Sequence, residues 1–261
     1  MNETIRVTDL DDATRVALRR HLLSLADSKR ILGLRYSDWL LGAPSIETGI
    51  AASSMAQDEW GHARLLYAML KDFGEDPSAV EHDRPREDYA SVPVLDTPFS
   101  DWAGFVVATV VVDGALTVAL EGFAEGRYES AQSRIPKMLS EEAFHRDLGL
   151  AWLRRLGAGT TEAQERIAEA ARFALPPTLA WLAPEDDVHA ALVEARLTAP
   201  PEALLQRFRD VLEAPLQAVG VEIPVPDTRE WDATRGRGPG APDQEVVERA
   251  RGDLNRALLV E

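Results

Sequence analysis

Cysteine is absent from the 261 residues, which excludes disulfides, thiolate nucleophiles, cysteine-ligated iron–sulfur clusters and cysteine-based zinc sites. Positive charge is scarce. Lys and Arg number 28 against 44 Asp and Glu, for a formal charge of −16, and that balance argues against binding nucleic acid through phosphates. Acidic surfaces also serve solubility, so the charge says little more. Long apolar runs are missing too: the longest, Phe105 to Val112, is too short to cross a bilayer, and the first ten residues hold no apolar export core. The expectation is a protein outside the membrane, located in the cytoplasm. No strand pattern of any length occurs, so the chain reads as all-α.

What is present is a repeat. Met55-Ala-Gln-Asp-Glu-Trp-Gly-His62 is followed, after an interval, by Met138-Leu-Ser-Glu-Glu-Ala-Phe-His145, and both frames run on to a glycine, Gly74 and Gly157. Each copy carries Glu-x-x-His, as Glu59/His62 and Glu142/His145. On a helix that spacing puts both side chains on one face, a turn apart, where both can reach one metal ion. Two such helices facing each other, each backed by a helix with one more acid, are the ligand plan of di-iron or di-manganese four-helix bundles. Asp58 and Glu141, one step before each ligand, either hold the histidines or face solvent.

The periodicity predicts helices over 12–41, Ser45-capped to about Phe73 with Gly74 as its stop, about 100–126 and about 133–156. A proline- and charge-rich stretch at about 75–98 supplies the crossover between two hairpins. A core at about 12–157 is then followed by a helical extension, about 160–261, with helices over 160–174, 188–196, 201–219 and 244–259 and an extended, mobile stretch at 221–242. The expected architecture is one ferritin-like domain, 1–261.

Asp113 interrupts an otherwise apolar helix, and an ionised carboxylate there is costly unless paired or metal-bound. Reflection through the turn near 127–129 brings it level with Glu142. Glu121, two turns on, is a lesser ligand candidate or a rim residue. The same reflection in the first hairpin makes residues 27–30 level with Glu59. Asp27 is the one acid available, but the stripe Leu22, Leu25, Leu32, Tyr36 points Lys29 inward and turns Asp27 aside. Lys29 then either replaces a metal charge by a salt bridge, serves as a rare neutral ligand, or snorkels to the bundle end. His21, His82 and His189 fall outside the pattern and read as surface residues, and Trp39, Trp60, Trp102 and Trp152 as packing.

On Gln57-Asp-Glu-Trp-Gly-His-Ala-Arg-Leu-Leu-Tyr67, Val112-Asp-Gly-Ala115, Glu141-Glu-Ala-Phe-His145 and Gly42-Ala-Pro-Ser45, the chain resembles the phenylacetic acid catabolic family, the ferritin-like subunits of phenylacetyl-CoA epoxidase complexes. The resemblance spans about residues 18–235. It implies a catalytic subunit with a dinuclear iron centre, or a homologous scaffold that has lost the ligands. Glu59, His62, Asp113, Glu142 and His145 match catalytic-subunit metal ligands, whereas the first-helix glutamate is replaced by Lys29, in a stretch more like the scaffold's.

The leading expectation is therefore an oxygenase component with two irons, manganese or a mixed pair also fitting the ligand type, that inserts one oxygen atom from O2 into an aromatic acyl-CoA. Lys29 and Asp27 are its candidate auxiliary residues, Asp27 as a means of completing the metal shell. No flavin, nicotinamide or iron–sulfur motif occurs, so a separate reductase is implied, along with a homologous ferritin-like subunit in a homo- or hetero-oligomer. Lys71 and Arg64 are guesses for contacts to CoA. The alternatives are a structural subunit whose metal space is plugged by Lys29, and a stand-alone ferritin-like protein handling iron or peroxide.

Overall fold

The computed structural model describes residues 4–258, and among them it is all-α: two isolated bridges, Ile5 with Tyr128 and Asp232 with Arg237, are the sole β pairings. Helices α1 (Asp12–Ser37) and α2 (Ile46–Ala68) form one hairpin. A short α3 (Pro77–His82) lies in the crossover. The second hairpin pairs α6 (Glu129–Gly157) with a helix built of α4 (Trp102–Val107), a π turn (Ala108–Asp113) and α5 (Gly114–Ala124). The remaining helices are α7 (Thr161–Leu182), α8 (Asp187–Glu194), α9 (Pro201–Gln217) and α10 (Gln244–Arg251). They pack on the outside of the two hairpins, α7 and α9 against the second, α8 and α10 against α1.

The stripe expected on α1 forms: Leu18, Leu22, Leu25, Leu32 and Tyr36 are fully buried, each contributing about 1.5–3 kcal/mol for an apolar side chain removed from water. The helix stops at Ser37 rather than at 41, so Leu40 lies in the turn, 45% exposed. That turn closes onto α2, because the Leu40 carbonyl occupies the space a side chain at Gly49 would need. Ser45 caps α2 as expected, its Oγ accepting from the Thr48 N–H at 3.2 Å, and Gly74 ends the following 3-10 turn at φ 78°.

Helix α7 runs eight residues past the expected end at 174, through Pro176 and Pro177. Its apolar face continues as Leu175, Leu179, Trp181 and Leu182, all buried, and the Trp181 indole donates to Ser24 Oγ at 2.7 Å. Tertiary burial here overrides the proline signal. The stretch after α9 is extended and makes buried contacts with the bundle. Arg237 is fully buried and donates to Asp96 Oδ2 at 2.6 Å, Trp231 donates to Asp186 Oδ2 at 2.7 Å, and Asp243 pairs with Arg35. The last helix ends at Arg251 because Gly252 turns left-handed at φ 71°; Leu259 lies outside the described residues.

Of the histidines read as surface residues, His189 is buried and His21 is partly buried. His189 is 5% exposed, and the His21 ring packs edge-on against Phe123 with centroids 4.9 Å apart. His82 is half-buried, its Nδ1 3.1 Å from the Arg251 carbonyl. The segment Trp102–Ala124 has enough length and hydropathy to cross a membrane, which the short-run argument missed, but its apolar surface is mostly buried within the bundle.

Candidate metal centre

The π turn Ala108–Asp113 widens the third bundle helix at Asp113, which faces the cluster at the bundle axis. Glu59 and His62 come from α2, Glu142 and His145 from α6, Lys29 from α1, and with Asp113 all six residues are buried. The Lys29 Nζ stands between the three acids, donating to Glu142 Oε1 at 2.5 Å, Asp113 Oδ1 at 2.6 Å and Glu59 Oε1 at 3.0 Å. The sequence therefore places five expected ligands and Lys29 together. Asp27 is not with them. It is buried on the other side of α1, accepting from the Tyr67 hydroxyl at 2.5 Å and the Ala90 N–H at 2.8 Å and pairing with Arg84. A residue two positions before an inward-facing one on a helix points away from it, so Asp27 anchors the crossover and completes no metal shell.

The histidines are held in a crossed pattern. His62 on α2 turns its Nε2 to Glu141 Oε2 on α6 at 2.8 Å, and its Nδ1 is 3.0 Å from Glu142 Oε1, close enough for charge attraction though not aligned for a hydrogen bond. His145 on α6 turns its Nε2 to Asp58 Oδ2 on α2 at 3.3 Å and its Nδ1 to Asp113 Oδ2 at 3.0 Å and Glu59 Oε1 at 3.2 Å. Each histidine thus sits between the adjacent acid pair of the opposite motif. Asp58 and Glu141 resolve as histidine partners at the edge of solvent, about a third exposed.

Two further residues complete the cluster. The Tyr36 hydroxyl donates to Asp113 Oδ2 at 3.0 Å and Thr117 Oγ1 to Glu142 Oε2 at 3.0 Å. The signal for them was positional: Tyr36 lies two turns after Lys29 and Thr117 one turn after Asp113, on the same faces. Glu121 lines an apolar cleft that reaches Asp113 and Glu142 between α5, α6 and α9, with Arg146 on its wall, and does not join the cluster. Arg64 and Lys71 are exposed.

The buried charges shift one another's pKa values. Burial works against the Lys29 ammonium, but the charges of Asp113, Glu142 and Glu59 hold its pKa well above the ordinary value. Burial likewise disfavours the His145 cation, yet its contacts with Asp113 and Glu59 raise it to about 11. Burial and the charge of Asp113 push Glu59 up to about 7. Burial would raise Asp113, and Lys29 and His145 overcome it to hold that carboxyl well below the usual range. Lys29 and His145 thus set two cations against the three buried carboxyls.

A metal pair does not fit this arrangement. Glu59, Asp113, Glu142 and His145 offer donor atoms within 4.8 Å of one another, but the ammonium occupies the space among the three carboxylates and bonds to one oxygen of each. A divalent ion and a lysine ammonium cannot share that position, and the first helix presents Lys29 where a second ion would need a carboxylate. Two donors on the α2 side, Glu59 Oε2 and His62 Nδ1, remain without a hydrogen-bond partner.

Comparison with known proteins gives the family. The sequence is similar to two different subunits of the 1,2-phenylacetyl-CoA epoxidase of Escherichia coli K12. It matches one at 26% identity over 227 residues, covering 84% of this chain and 72% of that protein. It matches the other at 22% over 209 residues, covering 79% of this chain and 84% of that protein. The family model for phenylacetic acid catabolic proteins matches residues 1–239, and the chain belongs to that family.

Proposed function

We propose that the chain is a ferritin-like subunit of a multicomponent oxygenase of the phenylacetyl-CoA epoxidase type, and that its role there is structural, with Lys29 as an internal cation in place of the metal pair. The observation that carries this reading is the Lys29 Nζ at 2.5–3.0 Å from one oxygen of each of three buried carboxylates. The similarity to two different components of one epoxidase supports membership in such a complex. Catalysis on the aromatic acyl-CoA, and the electrons from a reductase, would then fall to a homologous subunit that keeps all its metal ligands. The cluster would contribute rigidity: six buried polar groups from α1, α2, the π turn and α6 fix the mutual position of four helices.

A second reading, the oxygenase component itself, is favoured by two ligand atoms that lack a hydrogen bond, Glu59 Oε2 and His62 Nδ1. It requires Lys29 to leave the centre. Elemental analysis decides between the two, on protein produced with iron and manganese supplied. The structural reading expects less than about 0.1 metal per chain in the native protein and a substantial gain in Lys29→Glu, which restores a fourth carboxylate. Near two metals per native chain would overturn it in favour of the oxygenase.

A further inference from the structure

Helix α8 and the extended stretch after α9 meet α1 around a small cavity of about 30 Å³. Its wall includes Arg20, His21 and Ser24 from α1, His189 from α8, and Trp231 and Gly236 from the extended stretch. His21 and His189 each present a buried Nε2 with no hydrogen-bond partner among the described residues. Beside them one carboxylate, Asp186, holds the parts together. It caps α8 by accepting from the His189 N–H at 2.6 Å, and it accepts from the Arg20 guanidinium at 2.9 Å and the Trp231 indole at 2.7 Å. Arg20 also donates to the Ala233 carbonyl, and a Cβ added at Gly236 would lie 3.0 Å from Arg20 Cδ, so the extended stretch lies directly on that side chain.

We propose that His21 and His189 form an acid-sensitive latch, and that protonating them releases α8 and residues 231–237 together from α1. The surroundings are built for two neutral rings. A cavity with room for about one or two waters cannot hydrate two imidazolium ions. Arg20 already places one cation at its wall, and Asp186, the carboxylate that answers it, is committed to three donors. Glu185, Asp187, Glu194 and Glu202 stand around His189 but are exposed, as is Asp232 near Arg20, so water and salt screen them. Helices α5 and α7 present Ala119, Phe123 and Trp181, none of them charged. Burial, then repulsion from His189 and Arg20, lowers the His21 pKa to about 3. Burial lowers His189 as well, with Asp186 opposing the shift and Arg20 adding to it. Both folded values lie below the ordinary 6.5, so the latch is fully closed above about pH 6.5 and weakens as pH falls. An opening that frees both rings gains up to about tenfold per pH unit for each of them.

The latch is independent of whether the centre binds metal, and hydrogen exchange read by mass spectrometry on the full chain tests it. After correction for the intrinsic pH dependence of exchange, the opening constants of Asp187–Glu194 and of residues 231–237 should rise together, by at least about tenfold from pH 7 to pH 5. Peptides within α2 and α6 should change by less than about threefold over the same range. His21→Phe and His189→Leu should each reduce the rise, and the double variant should abolish it, with circular dichroism at pH 7 reporting native helix content. The native chain alone gives the first reading, so a variant that does not fold leaves the test standing. A native chain with no acid response in either segment overturns the proposal, as does acid that loosens the whole bundle to the same degree. A response confined to one of the two segments, or one that persists in the double variant, overturns it too.

Discussion

His62 and Glu141 come from different copies of the repeated motif, and they meet across the bundle with Nε2 2.8 Å from Oε2. His145 makes the reciprocal contact with Asp58 at 3.3 Å. The repeat in sequence is thus an approximate twofold relation in space, and the acid before each glutamate serves the histidine of the other copy.

Removing the lysine charge should be expensive. In Lys29→Met the three buried carboxyls lose their shared donor, and breaking a buried ion pair by removing one partner costs about 3–5 kcal/mol. Urea unfolding at pH 7 is expected to show that loss without a change in the slope of the transition. A loss below about 1 kcal/mol would mean that Lys29 does not stand among the acids in solution.

The His145 cation predicts an alkaline dependence. Its folded pKa, about 11, exceeds the ordinary 6.5, so the folded state holds a proton that the unfolded chain gives up. The stabilisation is complete below about pH 6.5 and falls by up to about 1.4 kcal/mol per pH unit as pH rises toward 11. Thermal unfolding across pH 6.5–10.5 should show this decline, with the gap between the native chain and His145→Gln narrowing as pH rises.

His21 predicts the opposite limb. Burial, with added repulsion from His189 and Arg20, lowers its pKa to about 3, so it folds neutral while the unfolded chain takes up a proton below about pH 6.5. Its contribution is complete above that pH and is lost at up to about 1.4 kcal/mol per unit as pH falls toward 3. Replacing the ring by one of similar size that cannot titrate, His21→Phe, should flatten the acid side of the stability curve in denaturant titrations at pH 4–7. An unchanged acid slope would show that His21 titrates normally.

Asp27 should matter for stability and not for the centre. Asp27→Ala leaves the Arg84 cation and the Tyr67 hydroxyl without their buried acceptor, with an expected cost of about 3–5 kcal/mol in urea unfolding. Metal content, whatever the native value, should stay the same. A change in metal content would place Asp27 in the cluster after all.

Much of the centre was legible in the chain because helical spacing is local. Glu-x-x-His read twice, an acid inside an apolar run and an apolar stripe on α1 were enough to bring Glu59, His62, Asp113, Glu142, His145 and Lys29 to one place. Helix ends were less legible where distant contacts set them: α7 runs through Pro176 and Pro177 because its far end is buried, and α1 stops early because its turn packs on Gly49. His189 read as surface since nothing local marks the helices that cover it.

The sequence by itself determined an all-α chain, the four helices that carry the ligands, and the inward direction of Lys29, since each follows from a period of 3.6 residues within one segment. Tertiary structure alone decided what the lysine does there. Whether an inward ammonium snorkels, ligates or bridges depends on oxygens contributed by three other helices, and only their convergence at 2.5–3.0 Å turns it into the cation of the site. The same holds for Asp58 and Glu141, whose partners sit on the opposite helix, at distances no spacing along one segment encodes.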